Sequence, residues 1–112
     1  MFRFDTLIEG KKVEVINIGT RVIGEKGIYE PVIRRTRSFR RNHVHYRFSN
    51  GRDSIYCEGT MLVKVNGCFI KVCRLKAYDE WDITPVSDSF LYIGLHTPSR
   101  SIKVNGVVFF YQ

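Results

Sequence analysis

Five arginines fall within the nine residues Arg34-Arg35-Thr36-Arg37-Ser38-Phe39-Arg40-Arg41-Asn42, with one aromatic and no carboxylate among them. Arg47 and Arg52 follow shortly. A guanidinium is a planar, permanently charged fork that grips phosphate or carboxylate at two points, and an aromatic side chain between such forks can stack on an exposed base. Thr36 and Ser38 add neutral phosphate donors. Arg34, Arg35, Arg37, Phe39, Arg40, Arg41 and Arg47 are therefore the candidate nucleic-acid-binding residues. Five phosphate contacts would make log K fall by roughly 4 to 5 per decade of salt on duplex DNA. The same arginines also suit a solvated strand edge that repels other edges.

Other groups carry weaker signals. His43 and His45 are two apart, so on a strand they share a face and the reach of one metal ion. The surrounding arginines disfavour a cation there, and solvent-facing histidines are the simpler expectation. Cys57, Cys68 and Cys73 lack CxxC spacing and read as small buried hydrophobes. Asp79, Glu80 and Asp82 flank Trp81 as an acidic surface turn. These patterns lead to no metal, no cofactor and no catalytic constellation.

The elements that position these residues are strands. Lys12-Val13-Glu14-Val15-Ile16-Asn17-Ile18, His43 to Phe48 and Met61 to Val65 alternate with a period of two. Asn50-Gly51, Asn66-Gly67 and Asn105-Gly106 supply the positive-φ pairs that tight hairpins require. Leu75 to Trp81 has the composition of a short helical turn. Lys64-Val65-Asn66-Gly67 recurs as Lys103-Val104-Asn105-Gly106, an echo consistent with two similar hairpins. The expected fold is one all-β domain spanning residues 1–112.

The 112 residues suffice for one core, and 44% hydrophobic with 26% charged residues is ordinary for a globular chain. No apolar run is long enough to span a bilayer, and the N-terminus lacks the order of a signal peptide. An odd number of cysteines without a secretion signal suggests reduced thiols and a cytoplasmic location. A net charge of +7 favours an acidic partner: nucleic acid, or an acidic protein surface.

Three stretches carry a more specific likeness. Met1-Phe2-Arg3-Phe4-Asp5-Thr6-Leu7-Ile8 opens the chain. Cys57-Glu58-Gly59-Thr60 leads into a strand-NG-strand segment, and Leu91 to Gln112 closes it with Ile102-Lys103-Val104-Asn105-Gly106-Val107-Val108-Phe109-Phe110-Tyr111-Gln112. This layout resembles the Hint domain of inteins and hedgehog proteins, and small barrels of OB or SH3 type are the rival fold.

The resemblance implies a pseudo-twofold β-fold and a degenerate, non-splicing module. The family nucleophile falls on Met1, whose thioether cannot attack a carbonyl. The TxxH motif falls on Cys57 to Thr60, with Thr60 in place of the histidine, and Arg100 replaces a later histidine. The terminal His-Asn pair falls on Phe110 and Tyr111, or, one residue along, on Tyr111 and Gln112, where a glutamine could still cyclise. The sequence as it stands also carries no flanking peptide to join. The resemblance implies a phage or mobile-element genome, and binding, or inhibition of a host protein, in place of chemistry.

Overall fold

The computed structural model describes residues 1–111. Its strands are β1 (Phe2–Arg3), β2 (Leu7–Ile8), β3 (Lys11–Lys12), β4 (Arg21–Ile23), β5 (Tyr29–Pro31), β6 (Arg34–Ser49), β7 (Ser54–Cys57), β8 (Leu62–Val65), β9 (Cys68–Lys71), β10 (Ala77–Tyr78), β11 (Trp81–His96), β12 (Ser101–Val104) and β13 (Val107–Phe110). Two single 3-10 turns, Val13–Val15 and Val72–Arg74, are the helical elements among the described residues. None of them is long and apolar enough to cross a membrane.

The frame is a ribbon of two 16-residue strands, β6 and β11. They pair antiparallel from Arg34↔His96 to Ser49↔Asp82, with one irregularity between Asp88 and Phe90. Asn42 sits there with φ +46°, and its N–H is satisfied by the Ser89 hydroxyl at 3.0 Å. β1 closes the ribbon on itself: Phe2 pairs with Ile93 of β11 and with Cys57 of β7, while Cys57 pairs with Tyr46 of β6. A second sheet, in the order β12-β13-β8-β9, covers one end. Its Phe109 meets Phe2 and Phe48 edge-on, each at 5.2 Å between ring centres, and all three rings are buried.

Two of the three Asn-Gly pairs do what their conformational freedom allows; at Asn50-Gly51 only the glycine has a positive φ, and the pair lies in a four-residue loop between β6 and β7. Asn66-Gly67 and Asn105-Gly106 have φ values of +51°/+80° and +48°/+86°, the geometry of two-residue type I′ hairpins whose twist matches the flanking strands. Asp79-Glu80 forms the expected surface turn between Tyr78 and Trp81. Phe109 and Phe110 lie in a terminal strand that packs into the core.

Two expected segments of secondary structure change type. Val13–Val15 is a 3-10 turn rather than part of a strand, and Leu75 to Trp81 holds β10 and the start of β11 rather than a helical turn. In both places the pattern of apolar residues is the same for either conformation, and long-range pairing decides. The two segments are in fact related. Val13 N–H donates to the Thr6 carbonyl (2.8 Å) and Ile16 N–H to the Val13 carbonyl (3.1 Å). Val72 and Leu75 repeat this with Met61 and Val72, at 2.9 and 3.0 Å. Hairpin, buried valine and 3-10 turn thus occur once in each half of the chain. The Lys-Val-Asn-Gly echo is a different relation, because its two hairpins are neighbours in one sheet, joined at Phe110↔Leu62.

His45 is fully buried, contrary to the expectation of a solvent-facing ring, and neither ring nitrogen has a hydrogen-bond partner. Its centre is 3.9 Å from that of Phe90, and Tyr56 and Tyr92 complete an aromatic box. Burial lowers its pKa below the ordinary 6.5, and the Arg3 guanidinium lowers it further, against weaker opposition from the nearby Val86 backbone and from Asp88. The unfolded chain therefore binds the proton more readily than the folded one, so stability falls as pH drops through 6.5 and below. Urea titrations from pH 7.5 to 5 are expected to show this loss, and His45→Leu is expected to reduce it.

Candidate functional site

Strand geometry decides where the arginine run points. Directly paired residues of antiparallel strands project to the same face, and successive residues alternate. The run lies inside one continuous strand, so it divides between the two faces of the ribbon instead of projecting together past an edge. Arg34, Thr36, Ser38 and Arg40 share the face of Tyr92 and Phe90. The extra residue at Asn42 keeps His43, His45 and Arg47 on that face too. Arg35, Arg37, Phe39, Arg41 and Val44 share the other face, with Leu91 and Ile93.

Individual roles differ within each face. Arg35 is half-buried and donates to two backbone carbonyls of the first 3-10 segment, Glu14 at 2.7 Å and Ile16 at 3.0 Å. Its guanidinium ties the ribbon to the N-terminal half. Arg40 lies 3.4 Å from the Glu58 carboxylate and 5.8 Å above the Tyr92 ring. Arg37 and Arg41 are exposed, and Phe39 between them is 60% exposed. Across the ribbon on the same face stand Leu91, Ser89 and Ser87, whereas the carboxylates of Asp82 and Asp88 point the other way. Arg47 is exposed, paired with Thr84 and Tyr56, and on the opposite face from Phe39.

A second feature was legible only in part. Met1, Thr60 and Tyr111, which the sequence likeness placed at reacting positions, surround one cavity of about 210 Å³ together with Glu58, Met61 and His96. The Met1 carbonyl accepts the Glu58 N–H at 3.0 Å, and the Met1 amine lies 3.3 Å from the Glu58 carboxylate. His96, which sequence reasoning passed over, packs edge-on against Tyr111 with 4.8 Å between ring centres. Burial and the neighbouring Arg34 lower its pKa, so it stands neutral at pH 7. No spacing rule marks His96; only its cross-strand pairing with Arg34 brings it to the cavity. Arg100 is not in the cavity wall. It occupies a left-handed turn (φ +59°), and its carbonyl accepts the Tyr111 N–H at 3.2 Å. Gln112 lies outside the described residues.

The groups lining this cavity are thus two thioethers, a hydroxyl, a phenol, an imidazole and a carboxylate already engaged by two cations. The nearby Cys57 is fully buried, and burial pushes its thiol up to about 12, far from a reactive thiolate. Cys68 and Cys73 are exposed rather than buried, on or beside the short strand β9. Among the described residues, no three His, Cys, Asp or Glu side chains converge on a position for a metal ion.

The different roles of neighbouring arginines are measurable. Arg35→Ala removes charged donors from two carbonyls and is expected to cost about 1.5–3 kcal/mol by chemical denaturation. Arg37→Ala is expected to stay within about 0.5 kcal/mol of wild type.

No protein-family model matches this sequence, and no curated protein matches it significantly. Solved structures do. The MchDnaB-1 intein superposes with a TM-score of 0.74 at 14% identity, covering 100% of both chains. Its N145AA form gives 0.73 at 15%, covering 99% of this chain and 98% of that one. The Msm DnaB1 intein splicing domain bound with zinc gives 0.69 at 13%, again over 100% of both. Identity this low speaks to the fold, and the fold it speaks to is the one that the circuit of β1, β7, β6 and β11 and the repeated hairpin–3-10 unit describe: this chain folds as an intein-like Hint domain.

Proposed function

We propose that this intein-like domain does not splice and serves as a basic binding domain, holding an anionic partner against the face that carries Arg37, Phe39 and Arg41. The exposure of Phe39 carries this reading. A large aromatic side chain stands 60% exposed between two exposed guanidiniums, on a face to which neither ribbon strand contributes a carboxylate. The exposed Val44 stands on the same face, so the ring belongs to an apolar surface beside the guanidiniums that a partner with both charged and apolar groups would cover. Nucleic acid and acidic protein surfaces both offer what these groups recognise. With two exposed arginines on the face instead of five, since Arg35 is held by the Glu14 and Ile16 carbonyls, the salt dependence is shallow, with log K falling by about 2 per decade.

Retention on a heparin column tests the reading without assuming the partner. Arg37→Glu with Arg41→Glu is expected to elute at clearly lower salt than wild type. Lys11→Glu with Lys12→Glu changes the net charge equally at exposed positions elsewhere, and is expected to shift elution less. Equal shifts would reduce the effect to net charge and remove this face as the site.

The loss of splicing rests on Met1, Thr60 and Tyr111 around the cavity. A thioether supplies no nucleophile, and a hydroxyl at Thr60 supplies no acid or base near neutral pH. A chain extended by several residues at both ends is expected to keep its full mass through prolonged incubation. Released flanks, or flanks joined to each other, would overturn this part of the reading.

A further inference from the structure

The ribbon leaves one long strand edge uncovered. β6 is paired with β11 along its length, but with β7 only from Tyr46 to Ser49. From Arg35 to Val44 the other edge of β6 has no paired strand among the described residues. The direction of its free groups follows from β1. The Phe4 N–H donates to the Leu91 carbonyl at 2.9 Å, so Leu91 turns its backbone groups away from β6. Because backbone direction alternates along an antiparallel strand, Phe90 and Tyr92 turn theirs towards Arg40 and Ser38. Arg37, Phe39 and Arg41 are left with N–H and C=O groups facing outward.

We infer that this edge accepts an extended acidic peptide as an added strand, an inference that rests on the binding role proposed for the same face. Three observations converge on that occupant. The free edge presents donors and acceptors in alternation. A peptide strand satisfies both, whereas a nucleic-acid backbone offers acceptors for the N–H groups but no repeating donors for the carbonyls. The side chains of Arg37, Phe39 and Arg41 stand on one face at every second position, so an added strand meets them with every second residue of its own. Complementarity then defines the peptide: acidic, any, aromatic or aliphatic, any, acidic, with the two charges about 14 Å apart at the rise of an extended strand. Finally, charge excludes a second copy of this chain, because pairing two β6 edges would set arginines against arginines.

The test uses the full chain and a synthetic strand of about nine residues with that pattern. Two N-methylated forms are compared, one methylated on the amides that would face β6 and one on the amides of the outer edge. Methylation on the inner edge is expected to weaken binding about tenfold or more, and methylation on the outer edge to leave it nearly unchanged. Hydrogen exchange is expected to slow at the amides of Arg37, Phe39 and Arg41 when the peptide is bound. Arg37→Glu with Arg41→Glu is expected to abolish binding while leaving the circular dichroism spectrum unchanged. If the two methylated peptides bind alike, strand addition is overturned and a purely side-chain site stands. If a single-stranded oligonucleotide protects those amides and the peptide does not, the partner is nucleic acid and this inference fails while the binding role survives. If neither ligand responds to the charge reversal, the binding role itself fails.

Discussion

The antiparallel pairing of β6 with β11 is the constraint on which the rest of the domain depends. Two strands of this length twist strongly, and a two-stranded ribbon is not stable alone in water. β1 supplies the missing support with two residues, pairing to β11 on one side and to β7 on the other. Phe2 sits at that junction, with its ring against Phe109 of the second sheet. A single short strand thereby fixes the ribbon's curvature, the seat of the second sheet and the cavity beside Met1.

The two halves of the chain solve the same local problem in the same way and then diverge at the surface. Val13 and Val72 are both fully buried and both begin a 3-10 turn held by equivalent backbone bonds. Beyond them, the first half exposes Val15 and Ile18, while the second half exposes Arg74 and Lys76. What is repeated is what closes a hairpin against the core. What differs is what the solvent sees, since packing places little constraint on those positions.

This division also explains what the sequence made legible. Turn chemistry is local, so Asn66-Gly67 and Asn105-Gly106 could be read directly as hairpins. The all-β class followed from alternation, and the Hint-like layout from the family resemblance of Met1 to Ile8, Cys57 to Thr60 and the closing segment. The fates of the arginines were not legible, because they depend on partners far along the chain: Arg35 on the carbonyls of Glu14 and Ile16, Arg40 on Glu58. The same holds for His96, brought to the cavity by pairing with Arg34, and for His45, whose burial depends on Phe90 and Tyr92. An alternating pattern could not distinguish the 3-10 turn at Val13–Val15 from a strand, because a buried valine followed by polar and apolar residues satisfies both.

The bulge at Asn42 reconciles two demands on β6 that strict alternation would set against each other. Before it, even-numbered residues face Tyr92 and Phe90; after it, odd-numbered residues do. Without the extra residue, a strand correct at Thr36 and Ser38 would turn His45 outward and drive Phe48 away from Trp81 and Phe109, which it now meets. With it, Phe48 remains in the core while Phe39, nine positions earlier in the same strand, stays on the solvent side of the same face. A left-handed conformation costs an asparagine little, and the Ser89 hydroxyl takes up the N–H that the irregularity would otherwise strand. The exposed face carrying Arg37, Phe39 and Arg41 is thus continuous with a core-forming face: Phe48 meets Phe109 of the second sheet, while Phe39 earlier in the same strand stays open to solvent.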